Sequence, residues 1–247
     1  MISRKLEIET VGRTDRGRVR EQNEDALFVP CMSAVPLVIV ADGMGGYRGG
    51  EIASRIGVNT AVSMVEAGAE SDVPPEGVLV RAIQAANEAV LEYAQTHEFY
   101  QGMGTTLTAA LLDGYCWILG HVGDSRCYLF SKDGLVQVTQ DHSYVQELIL
   151  AGKITAEEGL HHPMRNVITR AVGNSEQLDV DILRVCVEPG DILLLCSDGL
   201  TRHVSDFELG HVLQSGQTLK DMAAQLVNTA NEAGGADNIT LVLARIV

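Results

Sequence analysis

Two aliphatic segments of the chain end in the same dipeptide, Asp-Gly, although they lie far apart in the sequence. Residues 37–46 read LVIVADGMGG, and residues 192–200 read ILLLCSDGL. Asp-Gly is a common turn dipeptide, and a turn without chemistry is the ordinary interpretation of any single example. Asp42 and Asp198, however, each come after a run of four or more aliphatic residues, which is typical of a buried strand. We therefore expect both carboxylates at the mouths of buried strands, where they could bind a cation.

Three further aspartates occupy similar places at predicted strand ends. Asp124 ends the strand in ILGHVGDSR, Asp237 precedes the last strand in GADNITLVLARIV, and Asp25 closes VREQNED before the apolar ALFV. If these ends meet at one rim, carboxylates that close together cannot all stay ionised without compensating positive charge. Carboxylate and carbonyl oxygens suit Mg2+ and Mn2+, and no cysteine or histidine cluster indicates zinc. The pattern therefore predicts a magnesium or manganese site.

The elements that must position these aspartates follow from the apolar patterning. Strand-like runs lie in LEIETV, LVIVAD, TTLTAALL, YCWILGHV, CYLF, LVQVT, DILRVCV, DILLLCS and ITLVLARIV, and helical patterns cover residues 51–65, 78–96, 144–151 and 219–233. Two pairs of neighbouring strands are joined through Asp113-Gly114 and Asp133-Gly134, hairpin signals that predict antiparallel pairing. Because strict alternation of strands and helices fails here, the pattern disfavours a Rossmann-type sheet.

The predicted fold class is α+β. We expect a four-layer αββα sandwich, in which two antiparallel β-sheets pack face to face and helix pairs flank them. The sequence has no repeat, no low-complexity tract and no segment with the composition of a linker. Residues 1–247 are therefore expected to form a single domain.

The charge balance disfavours two classes of partner. The 247 residues carry 33 acidic and 18 basic side chains, a net charge of −15, which disfavours nucleic acid and anionic membranes and suits divalent cations. No stretch approaches the roughly 18–20 apolar residues of a membrane span, and the first residues lack a secretory core, so we expect a cytoplasmic protein. The five cysteines include no Cys-x-x-Cys pair, which predicts reduced thiols rather than a disulfide framework.

An ordered set of motifs carries a resemblance to a known family. The segments REQNED, VADGMGGYRGGE, GMGTTLTAALL, GHVGDSR, NVITRAVG, LLLCSDGL and GADNITLVL resemble the metal-dependent serine/threonine protein phosphatases of the PP2C or PPM type, in their short bacterial form. Each motif alone is weak evidence, but the set runs in the family's order from about Gly12 to the C-terminus. The resemblance implies a β-sandwich between helical layers, with two Mn2+ or Mg2+ ions at one end.

The resemblance also assigns roles to the predicted metal ligands. Asp42 would bridge two metal ions, and the carbonyl of Gly43 would bind one of them. Asp198 and Asp237 would hold the other ion. Asp124, together with Asp198, matches a third metal site that is seen in bacterial relatives.

Three more residues near the N-terminus match the family pattern. Glu24 and Asp25 would act near the metals largely through bound water, and Arg20 falls where the family keeps its phosphate-binding arginine. Two metals about 3.5–4 Å apart can share a water and lower its pKa, which gives a hydroxide that attacks phosphorus. The guanidinium of Arg20 could then grip two phosphate oxygens. The alternative for Arg20 is a solvated charge in the basic stretch RTDRGRVR.

The residue that protonates the leaving group is not assigned. Eukaryotic members often carry a histidine directly after Asp-Gly, whereas this chain has Met44, which cannot donate a proton. His162 is a candidate because histidine titrates near neutral pH and because it lies in the segment that resembles the family's mobile flap, about residues 141–164. The alternative is a surface or packing histidine. Thr155 and Glu158 predict a capping box within the flap. The resemblance implies that the flap determines substrate specificity. The alternative is that its helices serve ordinary packing.

Two other functions fit parts of the sequence. Residues 196–202, CSDGLTR, satisfy the Cys-x-x-Gly-x-x-Arg pattern of cysteine-dependent phosphatases, in which a thiolate attacks phosphorus. Asp198 lies inside this loop, where its charge would raise the thiol pKa and repel a phosphate dianion, so a buried, inert Cys196 is favoured. A phosphatase-like binding module without activity would be expected to lose its metal carboxylates first, and all five aspartates are present.

We therefore expect a manganese- or magnesium-dependent phosphatase that acts on phosphoserine and phosphothreonine in proteins. By resemblance, it would oppose a bacterial kinase of the eukaryotic serine/threonine type. Relatives that act on small anti-sigma-antagonist proteins tend to lack the arginine, so Arg20 favours broader phosphoprotein substrates. Neither nucleic acid nor a membrane is expected as a partner, and catalysis requires no more than a monomer.

Overall fold

The structure is a computed structural model that describes residues 8–30, 35–46, 49–69 and 71–247 of the chain. Its strands are β1 (Ile8–Asp15), β2 (Asp25–Phe28), β3 (Leu37–Met44), β4 (Gly104–Thr105), β5 (Leu107–Asp113), β6 (Cys116–Val122), β7 (Arg126–Ser131), β8 (Gly134–Gln137), β9 (Asp181–Cys186), β10 (Ile192–Cys196) and β11 (Ile239–Ile246). Its helices are α1 (Gly49–Gly68), α2 (Pro75–Thr96), α3 (Tyr144–Leu150), α4 (Ala156–Leu160), α5 (Asp198–Thr201), α6 (Asp206–Leu213) and α7 (Leu219–Glu232), with a 3-10 turn at Glu98–Tyr100.

The strands form two sheets in which the paired strands are antiparallel. One sheet has the order β1-β11-β10-β7-β8, and the other has the order β2-β3-β5-β6-β9, with the short β4 paired to the end of β3. The hairpins predicted through Asp113-Gly114 and Asp133-Gly134 are confirmed, since they join β5 to β6 and β7 to β8. Gly114 and Gly134 have φ angles of +58° and +107°, a region that glycine enters without steric cost.

Both faces of the central strands are buried, which explains their unbroken aliphatic runs. In β3, Val38 and Val40 face the opposite sheet, whereas Leu37 and Ile39 face the helices α1 and α2. The strand β10 alternates in the same way between the opposite sheet and the helices α6 and α7. Burial of one such side chain contributes about 1.5–3 kcal/mol relative to exposure. The predicted four-layer αββα sandwich of the α+β class is therefore confirmed.

The helix α7 illustrates how the sequence forms an outer layer. Leu219, Met222 and Leu226 recur at the three- and four-residue spacing of a helical face and are buried against the sheet. The hydroxyl of Thr218 accepts a hydrogen bond from the backbone N–H of Asp221 and so caps the first turn. Among the described residues, no helix is long and apolar enough to cross a membrane.

The strand directions bring the five predicted aspartates to one end of the sandwich. Because β10 is antiparallel to both β7 and β11, Asp198 after β10 lies beside the start of both neighbours. Asp237 precedes β11, and Asp124 lies on the connection from β6 to β7 that links the two sheets. In the other sheet, Asp25 on β2 is directly opposite Asp42 on β3.

Some elements differ from the sequence-based expectation. The strand β1 extends to Asp15, beyond the LEIETV run, because it pairs with β11 along its whole length, and residues 6 and 7 of that run lie outside the described residues. The apolar patterning predicts neither β2, which has only four residues, nor α6. The Ser205–Glu208 capping box at the start of α6 is a sequence signal that could have identified this helix.

The expectation that all cysteines are reduced thiols is wrong. Cys116 and Cys186 form a disulfide between directly opposite positions of β6 and β9, where their Cα atoms are 4.0 Å apart. The two residues are 70 positions apart in the chain, so no local spacing reveals the pair. Cys127 and Cys196 are free thiols as predicted, and both are buried, whereas Cys31 lies outside the described residues.

Candidate metal centre

Asp42 is held rigidly at the end of β3 by its backbone. Its N–H donates to the hydroxyl of Thr106 at 2.8 Å, and its carbonyl accepts from the N–H of Thr106 and from the hydroxyl of Thr105, both at 2.9 Å. These bonds satisfy the main chain where β3 leaves the regular ladder. The Asp42 side chain is therefore projected from a fixed backbone toward Asp25 on the neighbouring strand.

Gly43, the residue whose carbonyl is a predicted metal ligand, lies where two backbone segments approach closely. Its N–H donates to the carbonyl of Glu24 at 3.2 Å. A Cβ at this position would collide with the carbonyl oxygens of Glu24 and Gly50, the latter in the first turn of α1. Only glycine fits here, which gives a steric reason for the Asp-Gly pair at the end of β3.

Asp198 and Asp237 are brought together by the neighbouring strands β10 and β11. Asp198 is the first residue of α5, and the preceding Ser197 donates its hydroxyl to a carboxylate oxygen of Asp25 at 2.8 Å. Gly199 packs so closely against the start of β11 that a Cβ would collide with the carbonyl oxygen of Asn238. This contact fixes the beginning of α5 against the segment that carries Asp237.

Asn238 connects the turn that carries Arg20 to the start of β11. Its side-chain amide donates to the carbonyls of Arg16 and Gln22 at 3.0 and 2.8 Å and accepts from the N–H of Glu24 at 2.8 Å. The predicted site residues do not include this positioning residue. Its position directly after Asp237 in GADNITLVL could have identified it.

The electrostatics of the cluster indicate unmet negative charge. Burial, followed by repulsion from neighbouring aspartates, raises the pKa of Asp42 well above its ordinary value. Burial also raises the pKa of Asp25 to about 7, that of Asp124 to about 8 and that of Asp198 to about 6. One carboxylate oxygen in each of Asp25, Asp124 and Asp198 is buried without a hydrogen-bond partner.

These buried oxygens fit a divalent cation. An unsatisfied buried polar group costs about 1–3 kcal/mol, and more when it is charged. A hard cation accepts oxygen lone pairs and offsets the repulsion among the carboxylates. The donor set therefore suits Mg2+ or Mn2+ rather than zinc, as the sequence predicts.

Two arginines lie across part of the cluster. Arg20 donates to a carboxylate oxygen of Asp237 at 2.8 Å. Arg202 pairs with Asp198, four residues earlier, and donates to the same oxygen of Asp237 at 3.3 Å. In the described ranges, no three acidic, histidine or cysteine side chains already stand in a metal-ligand arrangement. In the sequence, Arg202 stands out only as the arginine of the cysteine-phosphatase pattern.

His162 contacts two other residues of the flap, Tyr144 and Met164. Its Nδ1 accepts from the N–H of Met164 at 3.1 Å, and its ring centroid lies 6.1 Å from that of Tyr144. Among the described residues, no hydrogen bond or ion pair joins His162 to an aspartate, so its role as a proton donor stays a prediction. The predicted capping box of Thr155 and Glu158 is confirmed at the start of α4.

The two ends of the flap are tied together beside the acidic cluster. Ser143 and Ile168 form a β-bridge, and the N–H of Thr169 donates to the carbonyl of His142 at 2.9 Å. His142 is buried, and its Nδ1 accepts from the N–H of Gly123, the residue before Asp124, at 3.0 Å. This bond joins the base of the flap to the loop that carries the aspartate.

An ion pair supports this histidine from its other side. Nε2 of His142 lies 3.1 Å from a carboxylate oxygen of Asp181, and Arg170 donates to the second oxygen at 2.6 Å. Because Nδ1 accepts a hydrogen bond, the neutral ring carries its proton on Nε2 and donates it to Asp181. Burial lowers the pKa of His142, which favours this neutral form.

The environment of Cys196 argues against a cysteine nucleophile. Its side chain is fully buried, and burial raises the pKa of its thiol to about 12. The reactive species in such enzymes is the thiolate, which this environment disfavours at neutral pH. Arg202 pairs with Asp198 instead of facing an open phosphate loop. The interpretation of Cys196 as a buried structural thiol is supported.

The sequence is similar to a known protein family and to individual members of it. The sequence matches the family described as Protein phosphatase 2C over residues 14–244. It is 41% identical over 241 residues to a serine/threonine phosphatase, Stp, of Listeria innocua, covering 94% of this chain and 93% of the relative.

Solved structures agree with the sequence relatives. The serine/threonine phosphatase PstP/Ppp of Mycobacterium tuberculosis superposes with a TM-score of 0.88 at 36% identity, covering 98% of this chain and 99% of that one. A PstP catalytic domain in complex with two manganese ions superposes with a TM-score of 0.86 at 35% identity, covering 98% of this chain and 100% of that one.

Proposed function

This chain belongs to the protein phosphatase 2C family, and we propose that it hydrolyses phosphoserine and phosphothreonine in other proteins with manganese or magnesium ions as cofactors. One observation carries the proposal. Five aspartates meet at one end of the sandwich, and three of them hold buried carboxylate oxygens that have no hydrogen-bond partner. Such a cluster requires positive charge, and the PstP neighbour binds two manganese ions.

The proposed ligands come from both sheets. Asp42 would bridge two ions, and the carbonyl of Gly43 would bind one of them. Asp198 and Asp237 would hold the other ion, and Asp124 with Asp198 would hold a third. The rigid backbone at Asp42 and the close packing at Gly43 support these assignments, because a metal site requires ligands that are fixed in place.

When bound, two such ions lower the pKa of water toward neutrality and offset negative charge on the phosphoryl group. The protein's own residues would bind and orient the substrate. Arg20 is 48% exposed at the rim of the cluster, so its guanidinium can leave Asp237 and donate to two phosphate oxygens. Glu24 and Asp25 would orient water near the ions, and His162 in the flap is the candidate that protonates the leaving group.

We propose that residues 1–247 act as one phosphatase domain and that the flap at about residues 141–164 contacts the phosphoprotein. A monomer suffices because one chain supplies every proposed ligand. The counterpart enzyme would be a serine/threonine kinase of the eukaryotic type, and a substrate pool inside the cell would place the phosphatase in the cytoplasm.

The test is the hydrolysis of p-nitrophenyl phosphate and of matched phosphoserine, phosphothreonine and phosphotyrosine peptides. Metal-stripped protein should be inactive, should recover with Mn2+ and should keep its activity after thiol alkylation. Asp42→Asn should lose at least about a hundredfold in kcat, since removal of a key electrostatic group commonly has this effect. The matched control is Asp133→Asn, in an exposed hairpin turn, which should behave like the wild type.

Other outcomes would assign a different function. Activity that ignores chelator and disappears on alkylation would move the chemistry to Cys196. A folded protein that binds Mn2+ but hydrolyses none of these substrates would indicate a binding module. Preference for phosphotyrosine would contradict the proposed substrate class.

A further inference from the structure

Arg202 is placed by the fold directly against two of the proposed metal ligands. It follows α5, and its backbone N–H donates to the carbonyl of Asp198 at 2.8 Å. Its guanidinium pairs with the Asp198 carboxylate and donates to Asp237 at 3.3 Å. Residues four apart on a helical turn are neighbours, so the short helix itself keeps this arginine beside Asp198.

Arg202 contacts one oxygen of each of two carboxylates that are proposed to hold a cation. Oδ2 of Asp198 is engaged by Arg202, whereas Oδ1 of Asp198 is buried and has no partner. Oδ2 of Asp237 accepts from both Arg202 and Arg20. A guanidinium and a divalent ion cannot occupy the same lone pairs, and two cations in direct proximity repel each other.

The side chain of Arg202 can vacate this position. It is 31% exposed, so a change of its side-chain rotamer would move the guanidinium toward solvent without any movement of α5. Arg20 differs from Arg202 because its ion pair is with Asp237 and because it is carried by a turn rather than by the helix that begins with Asp198.

We propose that Arg202 is an internal competitor of the metal. In the metal-free protein its charge neutralises Asp198 and Asp237, and the side chain must swing out before a divalent ion binds these carboxylates. Arg202 therefore stabilises the metal-free fold and weakens the affinity of the site for cations. This inference rests on the proposed metal-dependent function and adds a residue that sets metal affinity.

The test measures metal binding in the absence of substrate. Metal-stripped protein is titrated with Mn2+, and the free ion is read by electron paramagnetic resonance, with calorimetry as a second measurement. Arg202→Gln should bind Mn2+ about threefold to tenfold more tightly than the wild type in at least one of the successive binding events. This range is expected when one partly exposed ion pair no longer opposes binding. In chelator, Arg202→Gln should also unfold at a lower temperature than the wild type.

Two further variants make the test specific. Arg202→Lys keeps the charge but loses the planar fork, so its affinity should fall between those of the wild type and Arg202→Gln. Arg18→Gln removes a charge from the same rim, where the Arg18 N–H donates to the carbonyl of Gly235, and should change the affinity less than about twofold. If Arg202→Gln cannot be purified folded, Arg202→Lys carries the test alone.

The outcomes separate this inference from the proposed function. If the wild type binds Mn2+ and the Arg202 variants bind with equal or lower affinity, the competitor role is overturned and the metal site stands. If Arg18→Gln tightens binding as much as Arg202→Gln, general charge explains the effect and the specific role fails. If the wild type binds no Mn2+, the proposed metal site and this inference fail together.

Discussion

Replacement of Asp42 by asparagine should have opposite effects on stability with and without metal. Burial and the neighbouring aspartates raise the pKa of Asp42 well above its ordinary value, so the metal-free fold holds this carboxylate ionised only at a cost. Asparagine has nearly the same shape and leaves the backbone bonds to Thr105 and Thr106 in place. In chelator at pH 8, Asp42→Asn should therefore be more stable than the wild type.

The size of this effect follows from the electrostatics. Each unit of pKa shift corresponds to 1.36 kcal/mol, and after allowance for charge shared within the cluster we expect a gain of about 1–2 kcal/mol. For a protein of this length, that gain raises the melting temperature by about 2–8 °C. Manganese at a hundred times its dissociation constant should stabilise the wild type by about 2.7 kcal/mol, and Asp42→Asn should lose most of this gain.

Asp141→Asn is the matched control, because Asp141 is an enclosed aspartate that already has a cationic partner. It accepts three hydrogen bonds from Arg126, at 2.7, 2.9 and 3.1 Å, and one from Gln137 at 3.1 Å. Its neutralisation should cost about 2 kcal/mol, because it leaves the largely buried charge of Arg126 without its partner.

Scanning calorimetry in chelator and in manganese gives all the required melting temperatures. We expect Asp42→Asn to melt above the wild type in chelator and below it in manganese, whereas Asp141→Asn should melt below it in both. If Asp42→Asn melts below the wild type in chelator, the cluster is not under electrostatic strain and the reasoning is refuted.

Three further predictions concern Asp124, Gly199 and the Cys116–Cys186 disulfide. Asp124 has a folded pKa of about 8 against an ordinary 3.8, so the folded state holds the extra proton between these values, and the metal-free melting temperature should fall as pH rises from about 5 to about 8.5; a rise would contradict this. Gly199→Ala should lower stability by more than about 3 kcal/mol in denaturant titrations, since the new methyl meets the rigid backbone of Asn238; a neutral effect would disprove the close approach. Dithiothreitol should destabilise the oxidised wild type by about 2–4 kcal/mol and leave Cys116→Ser unchanged, because the link to Cys186 closes a loop with a sequence separation of 70; equal sensitivity of both would exclude the disulfide as the cause.

The layers of the fold could be predicted because buried strands and amphipathic helices leave periodic signals. The unbroken run before Asp42 predicts a strand with two buried faces, and β3 has both. The four-residue strand β2 was not predicted because so short an apolar run has no clear period. The directly opposed register of Asp25 and Asp42 also depends on pairing between strands, which local patterns do not encode.

The aspartates of the candidate site could be predicted from the sequence, whereas the ion pairs that Arg20 and Arg202 form with them could not. Aspartates at strand ends stand out in a sequence, whereas the pairing of Arg20 with Asp237 joins residues 217 positions apart. The contact of Arg202 with Asp198 is local, but its spacing of four residues does not distinguish an exposed helical ion pair from one that lies over a metal site. Side-chain placement in three dimensions supplies this distinction.

Because the two ends of the flap are fixed to each other, the segment between them can be exchanged without disturbing the rest of the fold. The chain leaves the body at Ser143 and returns at Ile168, and the bridge between them, together with the bond from His142 to Gly123, fixes the entrance and the exit. Loop length adds little to the free energy of closure once the ends are fixed, so the intervening segment can be lengthened, shortened or replaced by that of a relative. Substrate preference could then be transplanted between enzymes while the carboxylates stay in place.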